Sequence, residues 1–428
     1  MRYLLLALLA LAVPAQARLS PEERAMAAAV DREADRTVAL LERLVNRNSG
    51  TLNLDGVAAV GEMMRAELEP LGFQVRWIDM RETGRAGHIV ATHAGRWRNV
   101  LLIGHLDTVF EPESPFQHFT RDGNRATGPG VGDDKGGLVV IVAALRAMQA
   151  AGTLRDANVT IVLTGDEERP GSPIAIARRD LIAAGQVADF ALEYENLATE
   201  DGRDFGTVAR RSSTSWTLTA HGRTGHSSGV CSADLGCGAI YEMARILDAF
   251  RRELAEPNLT YNVGVIGGGT PAAIDSDGFR IAASGKTNII AETAIARGDI
   301  RALTPEQDAR VRAAMQAIVA RHLPNASAEL AFAEDGYPPM APTAGNRAIL
   351  TRLNAVNRDL GLPEMAEYDP ARRGAADSSF VAGNVDTLAG LGAAGDRAHA
   401  EGESIELDSL ARQAKRSAIL ITRLTQGR

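Results

Sequence analysis

A chain of 428 residues is too long for one compact core and points to two domains, or to one domain carrying an insertion. Its 45% hydrophobic and 23% charged residues are those of an ordinary soluble globular protein. A formal net charge of −8 excludes nucleic acid as the main partner, which would call for a basic footprint.

The first element is "MRYLLLALLALAVPAQA". One arginine, an apolar run from Leu4 to Val13 and Ala15-Gln16-Ala17 read as a cleavable signal peptide, cut after Ala17. The run is too short to span a bilayer, and no cysteine follows the cut to carry a lipid. The expectation is a periplasmic or secreted protein that is free of the membrane after cleavage. Next comes a predicted helix between Ser20 and Gly50, with Ser20 as N-cap, Pro21 in the first helical position and Glu23 completing a capping box. "GFQVRWIDM", "GHIVATHA" and "NVLLIGH" read as strands. "KGGLVVIVAALRAMQAAG" reads as a buried helix, "NVTIVLTGDEE" as a strand, "PIAIARRDLIAA" as a helix and "ADFALEYE" as a strand. Alternation of helices with apolar strands predicts an α/β fold with both sheet faces covered.

From Ser212 the pattern changes. "STSWTLTAHGRTGH", "LTYNVGVIGGG", "TNIIAETAIARGDIR" and "AELAFAE" read as strands, and the segments beginning at Ala233 and Thr304 read as helices. Two helices on one antiparallel sheet make an α+β unit at residues 212–334, inserted between catalytic segments 18–211 and 335–428. Cys231 and Cys237 lie in one short loop. Export permits a disulfide between them; two free thiols packed at a helix start fit the sequence equally.

The chemistry gathers at predicted strand ends. His105 closes a strand, and Asp107 two positions on faces the same way, as a partner that could fix its tautomer. Asp133 and Asp134 stand between glycines before a helix, where a carboxylate also caps well. No phosphate-binding G-x-x-x-x-G-K-[ST] is present. Asp166, Glu167 and Glu168 crowd another strand end and repel unless a cation or protons compensate. Glu195 closes a further strand, and His399 sits in a glycine-rich loop. Two histidines and several carboxylates suit a pair of divalent metals, zinc above all.

Taken in order, "GHLDTV" at 104–109, "GPGVGDDKGG" at 128–137, "TGDEE" at 164–168, Glu195, "GRTGHSSG" with His226, "TNII" at 287–290, "GDIR" at 298–301 and His399 resemble the co-catalytic dizinc exopeptidases. That family includes glutamate carboxypeptidase, acetylornithine deacetylase, succinyl-diaminopimelate desuccinylase and aminoacylase, and the bacterial glutamate carboxypeptidase type resembles this chain most. The resemblance implies a mixed, mainly parallel sheet with helices on both faces and an inserted ferredoxin-like lid and dimerisation domain. It implies two Zn2+ ions, replaceable in vitro by Co2+ or Mn2+. Asp133 would bridge them, His105 and Glu195 would complete one site, and Glu168 and His399 the other. Asp107 would orient His105, and Glu167 would be the general base that activates a metal-bound hydroxide. His226 would reach the site, in dimeric members from the partner subunit, and Asn288 and Arg301 would hold the substrate's carbonyl or carboxylate. The implied reaction is hydrolysis of an amide next to a free C-terminal carboxylate in a small peptide or N-acyl amino acid. The alternatives are an N-acyl-amino-acid deacylase and, less in keeping with an intact ligand set, a non-catalytic binding protein.

Three departures stand out. Residues 271–286 form an extra segment before Asn288, read as an inserted hairpin. Arg372 and Arg373 occupy a stretch where small residues are common, and Arg210 and Arg211 lie at the domain junction. These four arginines are either solvated or in hinge ion pairs, or they serve an acidic substrate.

Overall fold

The computed structural model describes residues 19–275 and 278–427. The signal-peptide reading falls outside the described residues. The centre is a six-stranded sheet in the order Gln74–Asp79, Gly87–His93, Asn158–Thr164, Asn99–His105, Phe190–Glu193, Thr387–Leu388. The last four strands run parallel, and Gly87–His93 runs antiparallel to its neighbours, so the sheet is mixed.

Strand Asn99–His105 shows why the sheet forms. Its side chains alternate between two apolar clusters: Val100 and Leu102 join one, Leu101 and Ile103 the other. Helices Lys135–Ala150 and Leu407–Gln426 cover the first face, and Leu181 and Ala184 of helix Arg179–Val187 cover the second. Helix Lys135–Ala150 is buried all round from Lys135 to Met148, as an unbroken apolar run requires. In register, His105 lies beside Thr164 and Ile103 beside Glu193. The chain segments leaving these three parallel strands therefore emerge on one edge of the sheet, where ligand crevices form.

The first helical segment departs from expectation. The capping box at Ser20 and Glu23 is present, but the helix is broken into Pro21–Arg32 and Ala34–Val45 at Glu33. No glycine or proline marks the break. Both pieces pack on helix Lys135–Ala150, and that packing imposes the bend.

Residues 214–332 build a smaller unit with its own core. Its antiparallel sheet has the order Thr260–Gly269, Thr293–Arg301, Thr214–Gly222, Ala326–Phe332. Helices Ala239–Glu253 and Pro305–Val319 pack on it through Met243, Phe250 and Met315, around Trp216 and Leu218. The extra segment is indeed a hairpin, Ala272–Ile274 with Ile281–Ala283. Cys231 and Cys237 are disulfide-bonded. The two chain segments joining the units pair with each other, Arg210 with Met340 and Ser213 with Tyr337. No helix among the described residues is long and apolar enough to cross a membrane.

Because the two cores are separate clusters, damage to one should stay local. Phe250, fully buried edge-on to Trp216, is the clearest place to test this. Phe250→Ala should cost the smaller unit about 3–5 kcal/mol. Hydrogen exchange should then speed up across strands 214–222 and 293–301 while strand 99–105 keeps its protection.

Candidate metal centre

His105 ends its strand with a buried imidazole. Its Nδ1 donates to the backbone carbonyl of Asp107 at 3.1 Å and lies 3.3 Å from Asp107 Oδ1. A carbonyl only accepts, so Nδ1 carries a proton and Nε2 is the nitrogen that can offer a lone pair to a cation. Nε2 faces Asp133 Oδ1 at 3.0 Å. Two acceptors at that distance need a positive charge shared between them.

Asp107 fastens three segments. It is fully buried and accepts from the Thr51 hydroxyl at 2.6 Å and from the N–H groups of Glu167 at 3.0 Å and Glu168 at 3.2 Å. Burial disfavours its charge, but the bonds from His105, Thr51 and Glu167 win and hold its carboxyl below the usual range.

Asp133 reaches both ways. Its Oδ1 meets His105, and its Oδ2 lies 3.2 Å from His399 Nε2, which is also 3.1 Å from Glu168 Oε2. Two sets of donors result, His105–Asp133–Glu195 and Asp133–Glu168–His399, each with its ligand atoms within 4.8 Å of one another. His399 has a φ of 66°, in the left-handed region that a non-glycine residue rarely adopts.

The donor set fits a pair of divalent ions. Imidazole nitrogens and carboxylate oxygens suit zinc, and also cobalt and manganese. Glu168 Oε1 is buried without a hydrogen-bond partner. Burial, and then neighbouring acids, push Glu168 and Glu195 up, Glu195 to about 8 even with Arg210 opposing. His399 is driven up to about 11 by its bonds to Asp133 and Glu168. Carboxylates crowded this closely repel one another, and a bound cation would relieve them.

The loop carrying Asp133 is held by a residue that sequence reasoning missed. Glu403 is buried and accepts from the N–H groups of Gly130 at 3.1 Å, Gly132 at 2.8 Å and Asp133 at 3.0 Å. Gly130 has a φ of +67°, and a Cβ there would meet Thr108 Cγ2 at 2.3 Å, so the turn needs glycine. Asp134 stands at the N-cap of helix Lys135–Ala150, but its side chain makes no capping bond. Its Oδ2 accepts from the backbone N–H of His105 at 3.1 Å, joining loop to strand end.

Glu167 belongs to neither set. Its backbone is gripped by Asp107 on one side and by the Tyr337 hydroxyl, which donates to its carbonyl at 2.9 Å, on the other. Beneath lies Arg178, fully buried, donating to Asp166 Oδ1 at 2.5 Å, Asp377 Oδ1 at 2.7 Å and the Tyr337 oxygen at 2.9 Å. Burial and then the charge of Glu195 push the Glu167 carboxyl well above its ordinary range.

The remaining candidates lie elsewhere in the chain. His226 is exposed on the smaller unit, with Nδ1 2.8 Å from the Ser228 hydroxyl. The Ser227 N–H donates to the Asn288 carbonyl at 2.9 Å, so His226 and Asn288 sit close together. Arg301 pairs with Asp299 at 2.9 Å. These bonds tie the three residues to their own unit and none reaches the carboxylate cluster. Of the four arginines, Arg210 bonds Glu193 and Glu195, Arg211 bonds Thr260 and the Ala371 carbonyl, and Arg372 pairs with Glu200 at the surface. Arg373 donates to the Asn196 carbonyl, and the Nε atoms of Arg210, Arg211 and Arg373 are all buried without a partner.

Residues 101–423 match the model of peptidase family M20/M25/M40. The chain belongs to this family. Carboxypeptidase G2 of Pseudomonas sp. (strain RS-16) is 27% identical over 91% of this chain and 89% of that protein. Succinyl-diaminopimelate desuccinylase of Gluconobacter oxydans (strain 621H) is 27% identical over 87% of this chain and 93% of that protein. The fold is shared with aminopeptidase PepT of Bacillus cereus ATCC 10987, at a TM-score of 0.72 and 19% identity, covering 91% of this chain and 98% of that one. Human carnosine dipeptidase 1 aligns at a TM-score of 0.61 and 15% identity, covering 94% of this chain and 100% of that one. As a member of the M20 family with two clusters placed to coordinate metal ions, the protein is a metal-dependent hydrolase acting on peptide or amide bonds.

Glu403→Ala would strip three buried N–H groups of their acceptor and free the Asp133 loop. Metal affinity should fall about 10–100-fold. Competition against a graded series of chelators measures it, and retained affinity would mean the loop holds its shape unaided.

Proposed function

We propose that this M20 hydrolase is an exported zinc carboxypeptidase or amidohydrolase, glutamate carboxypeptidase-like, that cleaves an amide next to a free C-terminal carboxylate. The observation that carries the reading is Glu167: an acid beside both donor sets, outside them, with its backbone fixed from two sides. His105, Asp133, Glu168, Glu195 and His399 would hold two zinc ions, which when bound would polarise the scissile carbonyl and acidify water. Glu167 then takes the water's proton on its carboxylate and passes it to the leaving amine. Asp107 keeps the proton of His105 on Nδ1, so that Nε2 serves as a ligand. His399 and Glu168 complete one site, His105 and Glu195 the other, and Asp133 belongs to both.

The smaller unit is read as a ferredoxin-like lid. Its strand–helix–strand–strand–helix–strand sequence and sheet order support this. His226, Asn288 and Arg301 would then reach the substrate from the lid, His226 across a homodimer. Val263 and Ile266 on the edge strand Thr260–Gly269 are exposed apolar side chains suited to that contact. Export is supported by the leader composition and by the Cys231–Cys237 disulfide, which needs an oxidising compartment.

Preference for an acidic residue rests on Arg373. Its Nη2 donates to the Asn196 carbonyl at 2.9 Å, next to Glu195, and it has no carboxylate ion pair among the described residues. A carboxylate is the natural partner of a guanidinium fork. Removal of a succinyl group, which also carries a carboxylate, is the second reading, favoured by the likeness to the desuccinylase.

Glu167→Ala should retain two metal ions and lose about 10²–10⁴-fold in turnover, whereas survival of activity would remove Glu167 from the base role. The substrate test compares N-acyl-glutamate, N-acyl-glutamine and N-succinyl amines, each with and without chelator. Chelator-sensitive release of glutamate over glutamine, lost selectively in Arg373→Met, is the expected result. Equal rates for the glutamate and glutamine substrates would end the acidic preference, and faster release of succinate would move the assignment to the deacylase.

A further inference from the structure

Arg210 lies on the first of the two segments that join the units, where backbone bonds of 2.9 and 3.0 Å tie it to Met340. The residue is 2% exposed. Its Nη2 donates to Glu193 Oε2 and Glu195 Oε2, both at 2.6 Å, and its Nη1 donates to the Gly374 carbonyl at 3.1 Å. The second oxygen of Glu193 is occupied by the Ser378 N–H at 3.1 Å.

The arrangement leaves Glu195 divided. One oxygen is taken by a short, charge-assisted bond to Arg210, so one oxygen remains for a cation. Without the guanidinium, Glu193 and Glu195 would be two like charges in a buried space, and Glu195 would be free to turn. The other donor set has no such tether, because Glu168 Oε1 is buried without a partner and Glu168 Oε2 faces His399.

We propose that Arg210 is a positioning residue that fixes Glu195 as a one-oxygen ligand and thereby sets the affinity of the His105–Asp133–Glu195 site separately from that of Asp133–Glu168–His399. The inference rests on reading both sets as ion sites. It makes the two ions unequal, and it places the control of one of them on the linker between the units.

The test is a calorimetric titration of the metal-free mature protein with Zn2+, repeated with Co2+ to follow its visible absorption. The wild type should show two binding events. Arg210→Met should weaken one event about 10–100-fold and leave the other in place, with a change in the Co2+ spectrum of the weakened site only. Arg210→Lys, which keeps the charge without the fork, should fall between, and it carries the test if Arg210→Met does not fold. In a His399→Ala background, which retains only the first set, the loss should persist. Unchanged affinities, or equal weakening of both events alongside a lower melting temperature, would overturn the role of Arg210 alone. Fewer than two events in the wild type would overturn the two-ion reading and this inference with it.

Discussion

One buried carboxylate sets the geometry on which the site depends. Asp107 takes hydrogen bonds from a threonine in the loop after helix Ala34–Val45, from the imidazole side of its own strand end and from two successive N–H groups after the neighbouring strand. An ionised acid without water is tolerable only when its lone pairs are filled in this way. Each such bond to a charged acceptor contributes about 1.5–3 kcal/mol. The bonds also impose order: the imidazole of the first site, the acid of the second and the backbone of Glu167 cannot shift independently, because one group holds all three.

Around this centre the protein keeps its charges in layers. The innermost layer is acidic and calls for cations. Behind it, Glu403 accepts from three backbone N–H groups and faces the charge of the buried Lys135, yet burial pushes its carboxyl up to about 7. Further back, Arg178 answers Asp166 and Asp377, and Arg210 answers Glu193 and Glu195. Buried ion pairs of this kind contribute little net stability, since desolvation offsets the attraction. Their effect is on position: each guanidinium spans two segments of chain and fixes the acids that it pairs with.

The outer parts of this design were legible in the sequence, and the inner parts were not. Apolar runs ending in His105 and in Asp166–Glu168 announce strands that deliver polar groups to one sheet edge, since period and composition are local signals. Glu195 is less direct, because its strand stops at Glu193 and the ligand lies just beyond. Glu403 answers backbone groups some 270 positions away, and Arg178 answers Asp377 across 199 positions. Neither pairing leaves a periodic trace, and Arg178 in "IARRDL" looks like any base on a surface helix. Arg210 stands out in the sequence, but its two readings, hinge ion pair or substrate contact, divide on burial, which a sequence does not display. The break at Glu33 is hidden for the same reason, since its cause is the surface beneath it.

The linkers have more to do than join two units. They pair as a short two-stranded connection, and each plants one side chain in the metal centre: Arg210 on Glu195, and Tyr337 on the Glu167 carbonyl. Tyr337 in turn accepts from Arg178, so its ring is fixed to the main unit as firmly as its backbone is fixed to the opposite linker. A rotation of the smaller unit that strained this connection would pull on a ligand from one strand and on the base from the other. Hinges usually sit where few contacts cross and small residues absorb the change. Here the crossing point holds a buried arginine and a half-buried tyrosine, both hydrogen-bonded to the site. Movement of the smaller unit therefore has to arise outside residues 210–213 and 337–340, or else it changes the geometry of the ions and of Glu167 as it occurs.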